Sequence, residues 1–484
     1  MNGPIPWLIW LPLAAAIMAF VASTDASRRA YGLVGSAAAL VPALLLFAAV
    51  RGGGAQRYLV GWPAPLGIEF RADLLSASLV LLTAVVGVVV ATYASASLGD
   101  AHEAHVVAIP AAFWPLWLML LAGLNAIYLS TDLFNLYVAL EVVTLAAITL
   151  VSLPGTRSTI GAALVYLLAT LVGSLAFLFG VALLYGAHGT LSLFELGPLL
   201  EGGPLAWSAL GLMTLGIMVK AAFFPLHFWL PDAHGHALPP VSALLSGLVV
   251  KAGFYLFVRL WFDAFPSIVT PAFGPALGAL ALAGIVWASL LALGEGRLKR
   301  LLAYSTVAQL GLMLLAVPLA LVSAASLGAQ TASGSPGIEA GLMLALSHGL
   351  AKAALFLSAG AFIRGVGSDA LAQLGGLARR LPLAVLAFAL AAWTLLGLPP
   401  SGGYEAKALI AQAAVGAPFP WDLAAQATTL LTALYLGVAL RALFGPRSAQ
   451  ERFDPVPLRL QFPPLVLALL AVGLGLMPLV SGAP

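Results

Sequence analysis

Long apolar runs separated by short polar segments follow one another along the whole chain. A helix needs about 20 mostly apolar residues to cross the hydrocarbon core of a bilayer, and fourteen runs are long enough to do so. They predict membrane spans 1 to 14, in chain order, at residues 5–22, 31–50, 74–97, 108–130, 131–153, 159–185, 205–230, 239–262, 272–294, 299–322, 338–363, 382–413, 422–445 and 462–480. The predicted fold class is therefore an all-α polytopic membrane protein.

Two kinds of interruption break this pattern. Residues 57–73 (RYLVGWPAPLGIEFRAD) alternate between polar and apolar around Pro and Gly, which predicts a small extramembrane hairpin. Span 7 contains Pro225, and span 12 contains Pro399 and Pro400. Proline removes a backbone hydrogen bond, and inside a membrane the freed carbonyl groups are tolerated only beside protein or water. Spans 7 and 12 are therefore predicted to be discontinuous helices.

Broken helices at matching positions in two halves of a chain are the usual indication of a transport site built from inverted repeats. Spans 4–8 and 9–13 are the predicted halves; the alternative is that the prolines kink two helices without any function. The predicted division of the chain is 1–107 for spans 1–3 with the hairpin, 108–263 for the first five-helix repeat, 264–446 for the second repeat, and 447–484 for span 14.

The composition excludes several classes of protein. Of the 484 residues, 62% are hydrophobic and only 8% are charged, whereas a soluble domain is roughly a quarter charged. There is no Cys, so disulfides, thiolate metal sites and iron–sulfur clusters are excluded. The net charge of +3 is small and scattered, and it gives no indication of nucleic-acid binding.

The basic residues predict an orientation. Loops after odd-numbered spans, with the span ends beside them, contain thirteen Lys and Arg residues, and those after even-numbered spans contain four, Arg51, Arg57, Arg71 and Arg259. Because cytoplasmic loops carry an excess of Lys and Arg, the odd loops are predicted in the cytoplasm and both termini outside. The predicted location is the inner (plasma) membrane of the cell. Arg297, Lys299 and Arg300 are interpreted as a cytoplasmic anchor.

Four of the five lysines lie well inside predicted spans and the fifth, Lys299, lies at the first residue of one; other ionisable groups also lie inside spans. Glu141 and Lys220 lie midway along spans 5 and 7, and Lys251 lies at the centre of span 8. A charge at the bilayer centre costs about 2.5–3.5 kcal/mol on insertion scales. The ionisable residues that the pattern singles out are Glu141, Lys220, Lys251, His348, Lys352 and Lys407. Isolated structural pairs could explain one of them, but their number favours a proton relay.

Five ordered motifs make the chain similar to one family. They are GWPAPLGIEFRADLLSA, TDLFNLYVALEV, KAAFFPLHFWLPDAHGHALPPVSALLSGLVVKAGFYLFVR, LKRLLAYSTVAQLGLM and GLPPSGGYEAK, and they extend from about residue 57 to 410. They resemble the proton-conducting antiporter-like subunits that complex I, membrane-bound hydrogenases and Mrp-type cation/proton antiporters share. The hairpin and DLFNLYVALEV are most similar to the Mrp D-type subunit.

This resemblance implies a fourteen-helix core with two inverted five-helix repeats. It also implies an ion pair between Glu141 and Lys220, a connecting Lys251, a central His348 and a terminal Lys407. Lys at position 407 fits the D-type subunit, whereas the M-type subunit of complex I has Glu there. Glu405 departs from the family pattern, in which an apolar or small residue stands at this position, and it is a further candidate for the exit path.

The predicted function is therefore proton translocation by an Mrp-type Na⁺/H⁺ antiporter subunit. The alternatives are a proton-pumping subunit of complex I or of a membrane-bound hydrogenase, a stand-alone solute transporter, and a membrane scaffold. The predicted partners are other membrane subunits of such an assembly, protons, monovalent cations and lipid. His227, His234 and His236 with Asp232 match no zinc-binding spacing, and three prolines predict a loop there, so the sequence predicts neither a metal site nor a cofactor.

Overall fold

A computed structural model describes residues 3–52, 54–62, 67–98, 110–327, 335–415, 417, 419, 421–446 and 453–477. The helices are α1 (Ile5–Val21), α2 (Asp25–Ala38), α3 (Leu40–Val50), α4 (Leu74–Ser97), α5 (Phe113–Leu129), α6 (Leu133–Ser152), α7 (Arg157–His188), α8 (Leu193–Leu199), α9 (Pro204–Lys220), α10 (Leu230–His236), α11 (Pro239–Leu244), α12 (Val250–Arg259), α13 (Gly274–Gly294), α14 (Leu298–Leu327), α15 (Pro336–Val366), α16 (Leu377–Arg380), α17 (Pro382–Leu396), α18 (Gly402–Ala413), α19 (Trp421–Phe444) and α20 (Phe462–Gly473). Two strands, β1 (Gln56–Val60) and β2 (Ile68–Ala72), complete the regular structure of these residues together with short 3₁₀ and π segments.

The predicted fold class is confirmed. Within the described residues, ten helical segments are long and apolar enough to cross a membrane, and four shorter apolar helices, α1, α5, α9 and α17, coincide with spans 1, 4, 7 and 12. Each of the fourteen predicted spans therefore corresponds to a helix. Discontinuous helices occur at spans 7 and 12, as predicted.

Polar residues between the apolar runs explain where several of these helices begin. The Asp132 carboxylate accepts the backbone N–H of Asn135 at 2.7 Å at the start of α6. The Ser401 hydroxyl accepts the backbone N–H of Tyr404 at 3.2 Å at the start of α18. Such side chains satisfy N–H groups that have no partner within the helix itself. The short loops thus contain the capping residues that let one helix follow another directly.

The predicted hairpin is confirmed. Strand β1 pairs antiparallel with β2, with Gln56 opposite Ala72 and Val60 opposite Ile68. The carbonyl oxygen of Glu69 accepts hydrogen bonds from the backbone N–H and the hydroxyl of Thr131 at 3.2 and 2.8 Å. These bonds attach the hairpin to the loop between α5 and α6.

The chain divides into two compact units. Unit 1 contains the described residues of 1–91, 109–222 and 248–270, and unit 2 contains those of 92–108, 223–247 and 271–484. In unit 1, α5 packs against α1 and α6, while α7 packs along α9. In unit 2, α15 packs against α14, α17, α18 and α20. The predicted boundaries of the two repeats, 108–263 and 264–446, stay a prediction.

The two breaks differ in detail from the prediction. Lys220 was expected midway along span 7, but α9 ends at Lys220 and the helix resumes at Leu230. Ala222, with φ of 55°, has the left-handed conformation that L-residues rarely adopt, so the chain turns out of the helix before it reaches Pro225. Span 12 is interrupted between Leu396 and Gly402.

Candidate functional site

Two of the candidate residues, Glu141 of α6 and Lys220 of α9, form an ion pair in unit 1. Lys220 Nζ donates a hydrogen bond to Glu141 Oε1 at 2.9 Å and another to Thr144 Oγ1 at 3.0 Å. The Lys220 side chain is 5% exposed and that of Glu141 is 23% exposed. Lys220 is the last residue of α9, where the helix dipole favours a positive charge. The ion pair implied by the resemblance is therefore present, and it lies at the helix break.

Thr144 is a third member of this group, and the sequence did not single it out. It lies three residues after Glu141 in α6, so the two side chains share one helix face. Its hydroxyl donates to the Leu140 carbonyl oxygen at 2.7 Å and therefore presents a lone pair to Lys220. Its only sequence signal is a polar residue in an otherwise apolar run.

A cavity of about 20 Å³ adjoins Lys220. A buried water needs a cavity of about 10–15 Å³, so the space admits one water molecule. Thr144 and Tyr166 line it on one side, and Val249 and Gly253 line it from the helix that carries Lys251. Lys220 therefore borders a space for one water that residues of α12 also line.

Lys251 lies in α12, directly after the π-helical segment Leu245–Val249, and is fully buried. A Cβ at Gly253 would lie 2.2 Å from Ala221 Cβ, so the absence of a side chain there lets α12 approach the break next to Lys220. Short π segments inside α-helices often occur at functional sites. The helix that carries Lys251 is thus packed directly onto the end of α9.

His348 and Lys352 lie one turn apart in α15 of unit 2, and both are fully buried. Lys352 Nζ donates to the Leu302 carbonyl oxygen at 2.8 Å and to Ser305 Oγ, both in α14. Ser305 in turn donates its hydroxyl proton to the Leu302 carbonyl at 2.9 Å. Lys352 is therefore held by a hydroxyl and a backbone carbonyl oxygen of the neighbouring helix.

Lys407 spans the break of span 12. Its Nζ donates to the Leu396 carbonyl oxygen, at the end of α17, at 2.8 Å and to Thr429 Oγ1 of α19 at 2.5 Å. Gly397, with φ of 74°, ends α17, and a Cβ there would lie 2.6 Å from Lys407 Cδ. Glycine at this position thus provides both the left-handed turn and the room for the lysine stem.

Glu405 lies in the first turn of α18 and is partly exposed. Residues two positions apart on a helix do not face each other, so Glu405 points away from the face that carries Lys407. A carboxylate in the first turn is favoured by the helix dipole, which gives Glu405 a structural explanation. Its predicted place on the exit path stays a prediction.

Lys299 was interpreted as part of a cytoplasmic anchor, and its burial contradicts that interpretation. Its side chain lies buried, and its Nζ donates to the carbonyl oxygens of Gly235 at 3.1 Å and Ala237 at 2.5 Å, at the end of α10. The neighbouring Arg297 does pair with a carboxylate, that of Asp369, at 2.9 Å. In the sequence Lys299 stands between Arg297 and Arg300 at the start of a span, and it was therefore interpreted in the same way as these arginines.

The segment around the histidines is also different from the prediction. Residues Leu230–His236 form the short helix α10 and not a loop. The His234 ring stacks on Phe356 with centroids 5.0 Å apart and an interplanar angle of 15°. Among the residues that the structure describes, no three His, Cys, Asp or Glu side chains are grouped as metal ligands would be.

A buried arginine at the other end of span 8 was missed as well. Arg259 was counted among the loop residues, but it lies in α12 and is 6% exposed. One of its terminal nitrogens donates to both carboxylate oxygens of Asp73 at 2.6 Å, and the other donates to Asp263 at 3.0 Å. Burial raises the pKa of the Asp73 carboxyl, but the attraction and hydrogen bonds of Arg259 outweigh it and hold that pKa below its usual range.

Replacing Arg259 with leucine is expected to destabilise the protein by about 3–5 kcal/mol, because two carboxylates then lose their partner inside the fold. Thermal unfolding in detergent measures this loss. The pKa of Asp73 is lower in the folded protein than in the unfolded chain. The stabilisation that the Asp73–Arg259 pair gives the fold is therefore present above about pH 4, and it is lost as the pH falls through the folded pKa. The matched control is Arg57→Ala, since Arg57 is 64% exposed and lies 3.6 Å from Glu69, and surface pairs contribute little. Equal effects of the two changes would contradict this assignment.

The same residues fall within a known protein family. A sequence profile described as NADH:quinone oxidoreductase/Mrp antiporter, TM, matches residues 130–432, a range that contains all the candidate residues. The chain belongs to this family. It is 33% identical to the N subunit of the NADH-quinone oxidoreductase of Desulforudis audaxviator, over 99% of this chain and 96% of that protein.

Members of this family with other names are similar too. The chain is 32% identical to the D-type subunit of the Na⁺/H⁺ antiporter of Alkalihalophilus pseudofirmus, over 87% of this chain and 83% of that protein. Among solved structures, the Mrp complex from Dietzia sp. contains a chain that superposes with a TM-score of 0.85 at 26% identity, covering 98% of this chain and 94% of that one. The chain is thus a multi-pass membrane protein of an antiporter-like family.

Proposed function

We propose that the chain is the proton-translocating subunit of an Mrp-type Na⁺/H⁺ antiporter and works as one membrane subunit of a larger complex. The observation that carries this proposal is the buried ion pair between Glu141 and Lys220 at the break after α9. The similarity to a protein named as the D-type subunit of a Na⁺/H⁺ antiporter and to a chain of an Mrp complex supports it.

The relay that we propose begins at this ion pair. A proton that arrives on Glu141 removes the negative charge that holds Lys220, so the Lys220 proton is released towards the water-sized cavity and α12. The proton then passes along the other ionisable residues of the proposed relay. The members of the proposed relay are Glu141, Lys220, Lys251, His348, Lys352 and Lys407, and Glu405 is the alternative exit group if Lys407 is not the terminal member.

The proposal includes an orientation in the plasma membrane. Thirteen basic residues after odd spans against four after even spans favour cytoplasmic odd loops and outside termini. The balance stays strongly on the odd side when the buried Lys299 and Arg259 are left out of the count. We also propose that 108–263 and 264–446 are the two inverted repeats, with the cytoplasmic mouth near Glu141 and the opposite mouth near Lys407.

The test is to purify the tagged chain with its partners and to reconstitute the complex into vesicles with an imposed pH gradient. A pH-sensitive dye should report dissipation of the gradient when Na⁺ or K⁺ is added. Choline chloride at equal ionic strength is the control for a nonspecific salt effect. An assembled complex that never responds to monovalent cations would contradict the antiporter proposal.

A second candidate function is that of a proton-pumping subunit in a redox-driven complex. It is favoured by the 33% identity to the N subunit of an NADH-quinone oxidoreductase over nearly the whole chain. The same purification separates the two candidates. Partner subunits that contain iron–sulfur clusters or flavin, with acidification of the vesicles driven by an electron donor, would support the redox-driven complex over the antiporter.

Replacing Lys251 with arginine is expected to prevent exchange although it keeps the positive charge. Arginine is effectively always protonated and cannot pass on a proton. The measurement is the rate of gradient dissipation in vesicles that contain the Lys251→Arg complex, with assembly checked by native electrophoresis. Lys251→Ala provides the comparison, because a relay role predicts that both variants fail. Exchange at the normal rate in Lys251→Arg would show that Lys251 is a fixed structural charge.

A further inference from the structure

Three lysine ammonium groups inside the predicted spans share one type of partner. Lys220 donates to the hydroxyl of Thr144, Lys407 to that of Thr429, and Lys352 to that of Ser305. In each pair the hydroxyl lies on a different helix from the lysine. Thr144 and Thr429 face the two helix breaks, so the same arrangement occurs at both interrupted spans.

We propose that Thr144 and Thr429 are positioning residues that hold Lys220 and Lys407 at their places in both the charged and the neutral state. The inference rests on the proposed function and deepens it, because it assigns two residues that set where the relay lysines exchange protons. Neither threonine touches the transported ion in this proposal; each acts through its lysine.

The chemistry of the hydroxyl group supports this role. An ionised carboxylate only accepts hydrogen bonds, so it favours the charged form of a neighbouring lysine. A hydroxyl has one proton to donate and two lone pairs, and it rotates to suit its partner. It can accept from an ammonium group and, after rotation, donate to the lone pair of the neutral amine. A hydroxyl therefore keeps the lysine in place without fixing its charge.

The geometry at Thr144 agrees with this account. Its proton is directed to the Leu140 carbonyl oxygen at 2.7 Å while its oxygen accepts from Lys220 at 3.0 Å. Thr144 also lines the cavity beside Lys220, whereas Glu141 is not among the lining residues. When Glu141 is protonated, the remaining bond to Thr144 holds the Lys220 head beside that cavity. The lysine proton is then directed towards the space for a water.

At the second break a threonine hydroxyl again accepts from a lysine, and no carboxylate is among the hydrogen bonds described above for Lys407. Lys407 donates to the Leu396 carbonyl oxygen and to Thr429. The carbonyl can only accept, so Thr429 is the partner that can also donate when Lys407 is neutral. The adjacent Thr428 provides an internal contrast, because its hydroxyl donates to the Ala424 carbonyl oxygen of its own helix at 2.8 Å.

The experiment replaces each threonine in the intact complex by valine, which has the same shape without the hydroxyl, and by serine, which keeps the hydroxyl. Thr144→Val and Thr429→Val are expected to lower the initial rate of cation/proton exchange by about tenfold or more, because a hydrogen bond to a charged group is lost. Thr144→Ser and Thr429→Ser are expected to exchange within about twofold of the parent. The valine-specific loss separates positioning from packing, since serine removes a methyl group and valine does not.

Two buried threonines serve as matched controls. Thr428 lies beside Thr429 on the same helix, and Thr83 donates only to the Leu79 carbonyl oxygen, at 2.9 Å, among the bonds described for it. Thr428→Val and Thr83→Val are expected to retain the parent rate within about twofold. Amounts of assembled complex are measured by native electrophoresis for every variant, and rates are normalised to them.

Three results would overturn the inference. They are parent-like exchange in both threonine-to-valine variants, exchange rates in the serine variants as low as in the valine variants, or an equal loss of exchange rate in Thr428→Val and Thr83→Val. The failure of the proposed function would look different. In that case the parent complex itself would not respond to monovalent cations, or Lys220→Ala would exchange protons at the parent rate. If only the present inference is wrong, Lys220→Ala is inactive while Thr144→Val stays active. Should Thr144→Val not assemble, the Thr429 set decides the inference on its own.

Discussion

Replacing Lys220 with alanine is expected to lower cation/proton exchange roughly 100-fold or more, the range in which removal of a proton-transferring side chain falls, while the complex still assembles. The Lys220 ammonium group forms an ion pair with the Glu141 carboxylate at 2.9 Å, and Lys220 lines the water-sized cavity. Without it, a proton on Glu141 has no neighbouring cation to displace. Exchange in reconstituted vesicles measures the loss, and native electrophoresis measures assembly.

The difference in burial between Glu141 and Lys220 determines which single change destabilises the protein less. The Glu141 side chain is 23% exposed and that of Lys220 only 5%. Glu141 left alone in Lys220→Ala can therefore be solvated in part, whereas Lys220 left alone in Glu141→Ala is a buried charge that keeps only the Thr144 hydroxyl. Breaking a buried pair from one side costs about 3–5 kcal/mol, and Glu141→Ala should lower stability more than Lys220→Ala does.

Glu141→Ala is expected to abolish exchange as well, and the double change should be no worse than either single change. Residues that act as one unit show such non-additive effects. An assembled Lys220→Ala complex with full exchange would remove the ion pair from the mechanism. It would also favour a purely structural role for the pair.

The spans could be predicted from the sequence because hydrocarbon imposes a minimum length on any apolar helix. The apolar runs alone therefore placed fourteen helices. What they could not supply is where a helix stops inside the membrane. Lys220 was expected midway along span 7, but α9 ends there because Ala222 turns out of the helix before Pro225. The effect of a proline on the preceding residues depends on the packing around them.

The charged members of the site were also predictable, since an ionisable group inside a span costs free energy that only a function or a pair offsets. Their neutral partners were not. Thr144 and Thr429 are polar residues in apolar runs, and a threonine can satisfy its own hydroxyl on the helix that carries it. Only the hydrogen bonds between α6 and α9, and between α18 and α19, show which threonines face a lysine.

Lys299 and Arg259 were counted with the loop residues in the sequence, but both are buried in the structure. Both lie close to the ends of apolar runs, which is where lysine and arginine usually reach the interface. Lys299 instead binds the last carbonyl groups of α10, and Arg259 pairs with Asp73, 186 residues away in the sequence. Contacts between residues so far apart in the chain leave no trace in its local hydropathy pattern.

Replacing Lys407 with alanine is expected to block exchange to a similar extent, because it removes the ionisable group at the second break. The Lys407 ammonium joins the end of α17 to Thr429 of α19. The change leaves the hydrogen bonds of Lys220 to Glu141 and Thr144 in place, because Lys407 takes no part in them. Infrared difference spectra taken while the pH is stepped should therefore show the same Glu141 carboxyl signal as those of the parent complex, although no net exchange occurs.

Glu405 is the control for this prediction. It lies two residues from Lys407 but on another face of α18, in a first turn that favours a carboxylate. Glu405→Gln is therefore expected to exchange within about twofold of the parent if Lys407 is the terminal member of the relay. The reverse outcome, parent-like exchange in Lys407→Ala and a loss in Glu405→Gln, would move the exit to Glu405. A loss of the Glu141 infrared signal in Lys407→Ala would instead show that the change reaches the first ion pair, and that Lys407 is not a separate exit group.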